Sequence, residues 1–529
     1  MKGGEYIMSK VQKKILKTLT LSIFMVGVVT SYSPAALAAS TSSHVRIVGS
    51  TQTIWYGDVT TDGCTVTDTD NKSHVFTQPL AICALDAASK TGGFSYSVKD
   101  FGGSLGLFLH GIASDIGAAD FSTYWSYDLN GIGASQGIAN QLLNNSDSLY
   151  FHFEDPGIDL NKRSVTDGIT YLRSQQQTSG QISGFTGISS WSTITFAAAG
   201  IAPEAVQNGG SSLLDYLLAN PPTSSSSATE WERGILAITA SGKNPYNFGG
   251  INYVQNLESY HNNSQIGSAT QINDDVFGLL ALVAAGSNAS SQIKQNALTF
   301  ILSHQGADGG FSWSTTGDSD VDDTAAALQA LVAAQKAGLT SSNLAAVILN
   351  AKNYILAAKN TDGGFASMQG DASNASTTSW VVMALNALGV TGADVTNANT
   401  YLRGNQEENG SFKWQSSSSG ETFTTSYAVL ALTGKYWPVK IFAGTTPTPS
   451  PTPTMTPTNT PTPTVLPTSI PSPTVTPTLT ITPRPNPGDQ YKSMAQLFKE
   501  RMQQIKKAQR PMIERMKEMF KLFKVSRQR

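Results

Sequence analysis

Three carboxylates stand within four positions of the chain, at Asp320, Asp322 and Asp323, and Thr324 follows them. A carboxylic acid that burial keeps protonated can donate a proton to a substrate, so this cluster is a candidate for general acid catalysis. Acidic and hydroxyl side chains also cap helix N-termini, where they accept backbone hydrogen bonds and complement the helix dipole. Capping is the favoured interpretation, because comparable positions of neighbouring helical segments also carry acids or hydroxyl groups.

Aromatic and polar side chains recur where the second helix of each helical repeat is expected to begin. Several such N-termini at one end of a helical barrel would line a ligand-binding mouth with aromatic surface and a few polar groups. The candidate ligand-binding residues are Trp191, Trp231, Asp274, Asp275, Trp313, Asp320, Asp322, Asp323, Thr377, Trp380, Thr424 and Tyr427. The acidic cluster would then combine helix capping with lining of this mouth.

The cysteines and histidines indicate a disulfide and no metal site. The only two cysteines, Cys64 and Cys83, are 19 positions apart, and in an exported chain we expect them to pair. The six histidines show no paired ligand spacing. Residues 318–329 depart from a calcium loop, which needs glycine at its sixth position and glutamate at its twelfth. The sequence therefore predicts no metal ligands and no certain cofactor.

The elements that must position these residues are helical. Residues 157–443 are rich in Ala and Leu and repeat with a helical period. The first helix of each repeat ends near an aromatic anchor, and several repeats have a glycine loop before the second helix. The anchors are Tyr171, Tyr216, Tyr253, Phe300, Tyr354 and Tyr401. We predict six helical hairpins closed into an α/α toroid, with the second helices inside.

The composition of the other segments predicts a multidomain chain of α and β parts. Residues 1–39 combine lysines, an apolar run and small residues up to Ala38, the pattern of a cleaved secretory signal peptide. Residues 40–156 carry short alternating runs between turn residues and predict a small β-rich domain. Residues 444–488 are expected to form a disordered Thr/Pro-rich linker, and residues 489–529 a basic amphipathic helical tail.

The charge distribution limits which classes of partner the protein is expected to bind. The formal net charge is -2, but residues 40–487 carry -14 and residues 488–529 carry +8. An acidic body is unsuited to nucleic acid, whereas the basic tail fits an anionic envelope polymer or a membrane surface. Together with the signal peptide, this predicts a protein that is secreted or displayed on the cell surface.

Two families share motifs with this chain. Residues 305–311, together with the acidic motif at 320–325, resemble the repeats of the prenyltransferase/squalene cyclase superfamily. The β-rich domain, through residues 124–131 and 147–149, is similar to the C-terminal domain of transcobalamin and intrinsic factor. Those carriers hold cobalamin between a β domain and an α/α toroid, although their two domains occur in the opposite order. The resemblance implies cobalamin or another corrinoid as the first candidate ligand, held between the β domain and the toroid mouth.

The same resemblances imply roles for particular residues. A histidine can reach the cobalt of a corrinoid, and His261 and His304 are the candidates within the toroid. In class II terpene cyclases an Asp-x-Asp-Asp motif protonates an alkene or epoxide, which would make Asp322 the proton donor here, with Asp320 and Asp323 beside it. Such cyclases generally place the site between two helical barrels inside the cell. The sequence therefore favours an exported small-molecule-binding protein over an enzyme, with a terpene-cyclase-like enzyme and an adhesin-like surface protein as alternatives.

Overall fold

The computed structural model describes residues 40–102, 106–183 and 186–443. The chain divides into two compact units, Met1–Arg163 and Ser164–Arg529. Each unit has its own hydrophobic core. The predicted signal peptide, Thr/Pro-rich linker and basic tail lie outside the described residues. Within the described ranges, no helix is both long enough and apolar enough to cross a membrane.

The first unit contains the β sheets that the sequence predicts. Its elements are β1 (Thr41–Val48), β2 (Thr53–Thr61), β3 (Cys64–Thr67), β4 (Ser73–Phe76), α1 (Ala81–Gly92), β5 (Tyr96–Asp100), β6 (Leu107–Ile112), β7 (Asp115–Ile116), β8 (Tyr124–Leu129), β9 (Ile132–Gly133) and β10 (Asp147–Glu154). One sheet has the order β2-β1-β10-β8-β9, with β1 parallel to β10. A β3–β4 hairpin and a β5-β6-β7 sheet accompany it.

Alternating burial along β10 shows how the sequence forms the main sheet. Leu149, Phe151 and Phe153 are buried, while the residues between them are partly exposed. This is the period of a strand with one covered face. The predicted disulfide is present: Cys64 of β3 is bonded to Cys83 of α1, with their Cα atoms 5.2 Å apart.

The second unit is built from helical hairpins. The inner helices are α3 (Thr186–Ala198), α5 (Ala228–Ala240), α7 (Asn273–Ala284), α9 (Val321–Lys336), α11 (Ala375–Ala387) and α13 (Thr422–Leu432). The outer helices are α2 (Leu160–Ser174), α4 (Leu213–Ala219), α6 (Tyr253–Glu258), α8 (Ser291–Ser303), α10 (Leu344–Ala357) and α12 (Ala393–Gly404). A 3-10 turn at Pro203–Ala205 and the short strands β11 (Phe412–Lys413) and β12 (Gly420–Glu421) complete the described elements.

The inner helices form a closed ring, because each contacts the next along the chain and α13 contacts α3. At the closing contact, the Thr195 hydroxyl donates a hydrogen bond of 2.9 Å to the backbone oxygen of Ser426. The Ser192 and Ser426 hydroxyls are also hydrogen-bonded, at 3.1 Å. Both α9 and α13 are buried nearly all round, as expected of helices inside a protein. The predicted α/α toroid, with the second helices inside, is confirmed.

A recurring hydrogen bond joins three of the glycine loops to the inner helix that follows each of them. The backbone N–H of a buried aromatic residue donates to a buried threonine hydroxyl in the first turn of that helix. The pairs are Phe311 and Thr324 at 2.8 Å, Phe365 and Thr378 at 2.9 Å, and Phe412 and Thr425 at 2.8 Å. At Gly310 a Cβ atom would lie 2.9 Å from the ring of Tyr354. The aromatic anchor of an outer helix thus packs where only glycine leaves room.

The segment after α13 returns to the axis of the ring. Trp437 is 1% exposed and stacks on Trp191 of α3, with ring centroids 4.5 Å apart. It also meets Trp380 of α11 edge-on, at 4.6 Å. Its backbone N–H donates to the side-chain oxygen of Gln329 on α9, at 3.0 Å. Because these helices lie on different sides of the ring, Trp437 occupies the axis.

Candidate functional site

We define the mouth of the toroid as the end formed by the N-termini of the inner helices. The acidic motif lies there, at the start of α9. Asp320 is the N-cap residue, and its carboxylate accepts a hydrogen bond of 2.8 Å from the backbone N–H of Asp323. Its own backbone N–H donates to the Phe311 oxygen at 2.9 Å. Asp320 therefore both caps α9 and ties it to the preceding glycine loop.

Asp320 and Asp323 also form a carboxyl pair. Both are 8% exposed. Burial raises the pKa of Asp320 well above its usual range, and the charge of Asp323 and its side-chain hydrogen bond raise it further. Two carboxyl groups in contact inside a protein oppose each other's ionisation, which favours the protonated form of Asp320. Asp320 and Asp323 therefore cap the start of α9 and interact with each other.

Asp322 has a different environment. It keeps some solvent exposure, and its Oδ2 accepts a hydrogen bond of 3.1 Å from the Thr377 hydroxyl on the neighbouring inner helix α11. Burial raises the pKa of Asp322 to about 7, an effect opposed by the Thr377 hydrogen bond and reinforced by the charge of Asp323. A carboxyl group with this pKa can give up and regain a proton near neutral pH.

An aromatic layer lies next to Asp322 on the inner side of the ring. Trp380 of α11 and Tyr427 of α13 have ring centroids 5.2 Å apart. Tyr427 is also within electrostatic range of Asp322, whose charge contributes to raising the pKa of this phenol. Trp380 and Tyr427 each stand six residues after the N-cap of their helix, a place that Ala326 takes in α9. Asp322 lies one helical turn before Ala326 on the same face of α9, nearer the mouth.

A second carboxylate group lies at the start of α7. Asp275 is fully buried and accepts a hydrogen bond of 2.9 Å from the backbone N–H of Ile266. This is the contact that threonine hydroxyls make at other glycine loops, so Asp275 positions a loop. Asp274 accepts from the backbone N–H of Ser268 at 2.8 Å. Burial raises the pKa of Asp275 to about 8 and also raises that of Asp274.

Three other predicted site residues make contacts with neighbouring loops and helices. Trp231 is 3% exposed and packs edge-on against Tyr253 of outer helix α6, at 5.2 Å. The backbone oxygen of Trp313 accepts from the Ile272 N–H at 2.9 Å, ahead of α7. The Thr424 hydroxyl donates to the Glu421 carboxylate at 2.8 Å.

The two candidate corrinoid ligands lie at outer helices. Nε2 of His261 is 3.0 Å from the side-chain nitrogen of Asn296 on α8. Nδ1 of His304 is 2.8 Å from the backbone oxygen of Phe300, also on α8. Both histidines therefore have local polar partners at the outer layer of the toroid.

Sequence reasoning missed three residues of the inner ring. Glu232 is fully buried, and burial followed by the charges of Asp274 and Asp275 raises its pKa well above the usual range. Arg233 lies over the Trp191 ring, 5.9 Å from its centroid. Trp437 enters the axis from a segment without helical pattern. For Glu232 the sequence offered a signal as an acid near the start of an inner helix, which favoured capping. Arg233 stands six residues after the N-cap Ser227, as Trp380 and Tyr427 do in their helices.

One group in the first unit has metal-ligand character. Ligand-type atoms of Asp68, His74 and Asp100 all lie within 4.8 Å of one another, the single such group among the described residues. His74 is hydrogen-bonded to Asp68 at 2.8 Å, and the Lys72 ammonium lies 2.8 Å from Asp100. These contacts already supply the two carboxylates with partners, so the group is accounted for as an ion-pair network.

The sequence of the helical unit matches a known family model. Residues 158–416 match the model described as the prenyltransferase alpha-alpha toroid domain. Together with the closed ring and the mouth geometry, this places the second unit in the class of α/α toroids with prenyltransferase-type repeats. The toroid part of the resemblance is thereby confirmed. The match does not extend into the β sheets of the first unit, whose likeness to transcobalamin stays a prediction. No curated protein matches this sequence.

Solved structures similar to this chain include enzymes of more than one kind. The type II terpene cyclase MstE from Scytonema is 14% identical, covers 51% of this chain and 96% of its own, and has a TM-score of 0.39. The ent-copalyl diphosphate synthase from Streptomyces platensis is 15% identical, covers 47% of this chain and 50% of its own, and has a TM-score of 0.36. An unsaturated glucuronyl hydrolase specific for heparin is 13% identical, covers 53% of this chain and 97% of its own, and has a TM-score of 0.42. All three TM-scores are below 0.5.

Proposed function

We propose that the toroid is an acid catalyst of the class II terpene cyclase type, in which Asp322 protonates an alkene or epoxide of an apolar ligand. The observation that carries this proposal is the environment of Asp322. Asp320 and Asp323 provide the helix cap and pair with each other, which leaves Asp322 to face α11 with a pKa of about 7. A chain that used all three carboxylates for capping would not separate their roles in this way.

The chemistry follows from the groups next to Asp322. Its carboxyl proton is transferred to a ligand carbon or epoxide oxygen, and the cation formed is attacked by a second double bond of the same ligand, which forms a carbon–carbon bond. Loss of a proton to water ends the reaction, and water reprotonates the carboxylate. The aromatic faces of Trp380 and Tyr427 would stabilise the cation by cation–π interaction. The Thr377 hydroxyl would orient the acid and stabilise its ionised form.

The depth of the site limits the ligand. Trp437 occupies the ring axis in contact with Trp191 and Trp380. The ligand would therefore enter from the mouth and present only its reacting end to the aromatic layer. This favours cyclisation at one end of a flexible polyene over enclosure of a whole polycyclic product.

The test uses the full chain with its disulfide formed. Squalene, its terminal epoxide and linear prenyl diphosphates are incubated with the protein in D2O, and products are analysed by mass spectrometry. We expect a cyclised product, with one carbon-bound deuterium where an alkene is the group protonated, and loss of at least 100-fold in rate in Asp322→Asn. Asp371→Asn, which removes an exposed carboxylate, serves as the control. Turnover that persists in folded Asp322→Asn would contradict the proposal. A lack of turnover by the unaltered protein with every substrate would also contradict it.

A further inference from the structure

Three phenylalanine side chains of the first unit are exposed and lie together. Phe101 follows β5, Phe108 lies on β6, and Phe121 stands in the turn between β7 and β8, with exposed fractions of 41%, 41% and 53%. The ring centroid of Phe101 is 5.3 Å from that of Phe108 and 5.8 Å from that of Phe121. We call these three residues the phenylalanine cluster. Single exposed apolar residues are ordinary on a protein surface, whereas aromatic rings grouped in contact form a candidate binding surface.

The backbone holds Phe121 in its exposed position. Its φ is 59°, in the left-handed region that a bulky side chain rarely adopts. Two backbone hydrogen bonds close the turn around it, from the Phe121 N–H to the Ala118 oxygen at 3.0 Å and from the Ala118 N–H to the Thr123 oxygen at 2.9 Å. Residues in such sparsely populated conformations concentrate at functional sites, because folding alone does not favour them.

The three rings do not form a flat platform. The ring planes of Phe101 and Phe108 meet at 83°, and those of Phe101 and Phe121 at 42°. Rings that face different directions fit around a compact group better than they stack on an extended planar one. The face of an aromatic ring carries negative partial charge, so the compact group that such rings attract is a cation.

A cation already reaches one of these ring faces. The Lys99 ammonium lies over the Phe101 ring, with its nitrogen 5.4 Å from the ring centroid. Lys99 stands two residues before Phe101 and opposite Phe108 in the β5–β6 ladder, so all three lie on one face of that sheet. The Lys99 side chain is exposed and can move aside. The Phe101 face is thus open to a positive charge within the roughly 6 Å range of cation–π attraction.

The charges near the phenylalanine cluster also favour a cation. Residues 96–124 carry three aspartates and one lysine. Asp120 precedes Phe121 in the turn, and its carboxylate accepts hydrogen bonds from the Ser122 hydroxyl at 2.7 Å and from the Ser122 N–H at 3.0 Å. These hydrogen bonds lower the pKa of Asp120, which is therefore ionised at neutral pH. The local excess of negative charge attracts cationic ligands and repels anionic ones.

The phenylalanine cluster should distinguish between kinds of cation. Phenylalanine rings offer carbon faces and no hydrogen-bond acceptor for an N–H group. A primary ammonium is strongly hydrated and would lose hydrogen bonds to water on such a surface. A trimethylammonium group has no N–H and buries its methyl groups against the rings. A quaternary ammonium group should therefore displace the Lys99 side chain from the Phe101 ring.

We propose that the phenylalanine cluster is a binding site for a quaternary ammonium group of the choline type. The methyl groups of the ligand would contact the three rings, and the Asp120 carboxylate beside Phe121 would supply the opposite charge. This inference concerns the first unit and does not depend on the acid catalysis proposed for the toroid.

The experiment compares choline with two analogues in the full chain with its disulfide formed. The dimethylbutanol in which a carbon atom replaces the choline nitrogen keeps the shape without the charge, and ethanolamine keeps the charge without the methyl groups. Saturation-transfer NMR titrations measure the three dissociation constants. We expect choline to bind about tenfold more tightly than either analogue. Equal affinities of choline and the neutral alcohol, or no binding of choline, would overturn the proposal.

Variants locate the site. Phe101→Leu keeps apolar bulk but removes the central ring, so the preference for choline over the neutral alcohol should fall to within about twofold, and Phe121→Leu should lose part of it. Lys99→Gln should tighten choline binding severalfold, because it removes a competing ammonium. Tyr56→Leu, at an exposed aromatic residue of β2, is the matched control and should keep the full preference. A full preference in Phe101→Leu would overturn the assignment. Should that variant fail to fold, Phe121→Leu and Lys99→Gln still decide.

The same quaternary ammonium group occurs on soluble compounds and on lipids. Sedimentation with phosphatidylcholine vesicles separates these sources, and because such vesicles have no net charge, the basic residues 488–529 contribute little to capture. Capture that free choline reverses and that Phe101→Leu abolishes would identify a lipid head group. Choline binding without capture by the vesicles would identify a soluble or polymer-linked compound.

Discussion

Three identical side chains within four positions behave differently in this protein because each meets a different neighbour. Asp320 accepts a backbone N–H as the cap of α9, and Asp323 pairs with it. Asp322 points to α11, where a threonine hydroxyl is its donor. Local sequence explains the first two environments, since capping depends on residues within one helical turn. The third depends on a helix more than fifty residues further along the chain.

Asp322→Asn should stabilise the toroid in a pH-dependent way. The pKa of Asp322 is about 7 in the folded protein and near 3.9 when unfolded, so the folded state binds more protons between these values. The free energy of unfolding of the unaltered protein should therefore fall as the pH rises from about 4 to about 7. Asp322→Asn avoids this loss, so at the upper end of this range its free energy of unfolding should exceed that of the unaltered protein. The difference should be on the order of 2 kcal/mol, a figure reduced for the partial solvent exposure of Asp322. Thermal unfolding between pH 4 and 8 measures the difference.

A flat difference between Asp322→Asn and the unaltered protein across that range would contradict the assigned environment. Asp371→Asn, which changes an exposed carboxylate, provides the reference. A gain in stability on removal of a group that we propose to be catalytic is the pattern expected where function is maintained at a cost to folding.

Thr378→Val tests the recurring loop contact. The Thr378 hydroxyl accepts the buried N–H of Phe365 at 2.9 Å. Valine keeps the shape but leaves that N–H without an acceptor, which should cost about 1–3 kcal/mol in the free energy of unfolding. Thr378→Ser should cost much less, because Ser189 makes the equivalent contact with Ile182 at 3.0 Å. Urea unfolding of both variants is the measurement, and equal losses would refute the role of the hydroxyl.

At the scale of elements, the segment after α13 has the largest effect on the site. It is not helical, yet Trp437 places its ring among Trp191, Phe277 and Trp380, with centroid distances of 4.5 to 5.8 Å. Lys336 of α9 donates to the Ala387 oxygen at 2.8 Å, beside this segment. A ring of six inner helices would otherwise have an open axis. The segment therefore determines how far a ligand can enter.

Trp437→Ala should deepen the site and weaken the fold. Removal of a fully buried indole should cost about 3–5 kcal/mol and leave an apolar cavity. Such cavities bind small apolar molecules, so added indole should raise the thermal midpoint of this variant more than that of the unaltered protein. Trp437→Phe, which fills most of the space, should show a smaller effect of both kinds. Absence of any rescue by indole in a folded variant would argue against an axial position for Trp437.

At the scale of the whole molecule, the chain carries two units with separate cores. The single disulfide staples the first unit, and the acid motif belongs to the second. Secretion, an envelope partner for the basic tail and corrinoid binding remain predictions from the sequence. Gel filtration with cobalamin, which reveals a co-eluting chromophore, would test the last of these and would also discriminate a carrier from an adhesin.

Reduction should affect the two units unequally. Cys64 and Cys83 close a loop of 19 positions, and in the chain-entropy account such a link contributes about 3 kcal/mol to the stability of its unit. We expect Cys64→Ser/Cys83→Ser to lower one calorimetric transition and leave the toroid transition in place. A toroid transition that shifts by the same amount would show that the two cores do not unfold separately.

The sequence by itself determined the α/α toroid, the β-rich start, the disulfide and, among the expected capping residues, Asp320 as the cap of α9. Helical period, strand alternation and capping preferences act over a few residues, so they are readable along the chain. The anchor Tyr354 and the loop at Gly310 were visible as a repeat, although their contact was not.

Only the tertiary structure decided which of the three carboxylates meets a neighbouring inner helix. Ring closure brings Thr195 to Ser426, 231 positions apart, and the same closure sets Asp322 beside Thr377 and Arg233 over the ring of Trp191. The axial position of Trp437 likewise depends on five inner helices at once. These relations are distances between remote segments, and no local pattern encodes them because each follows from how the complete ring packs.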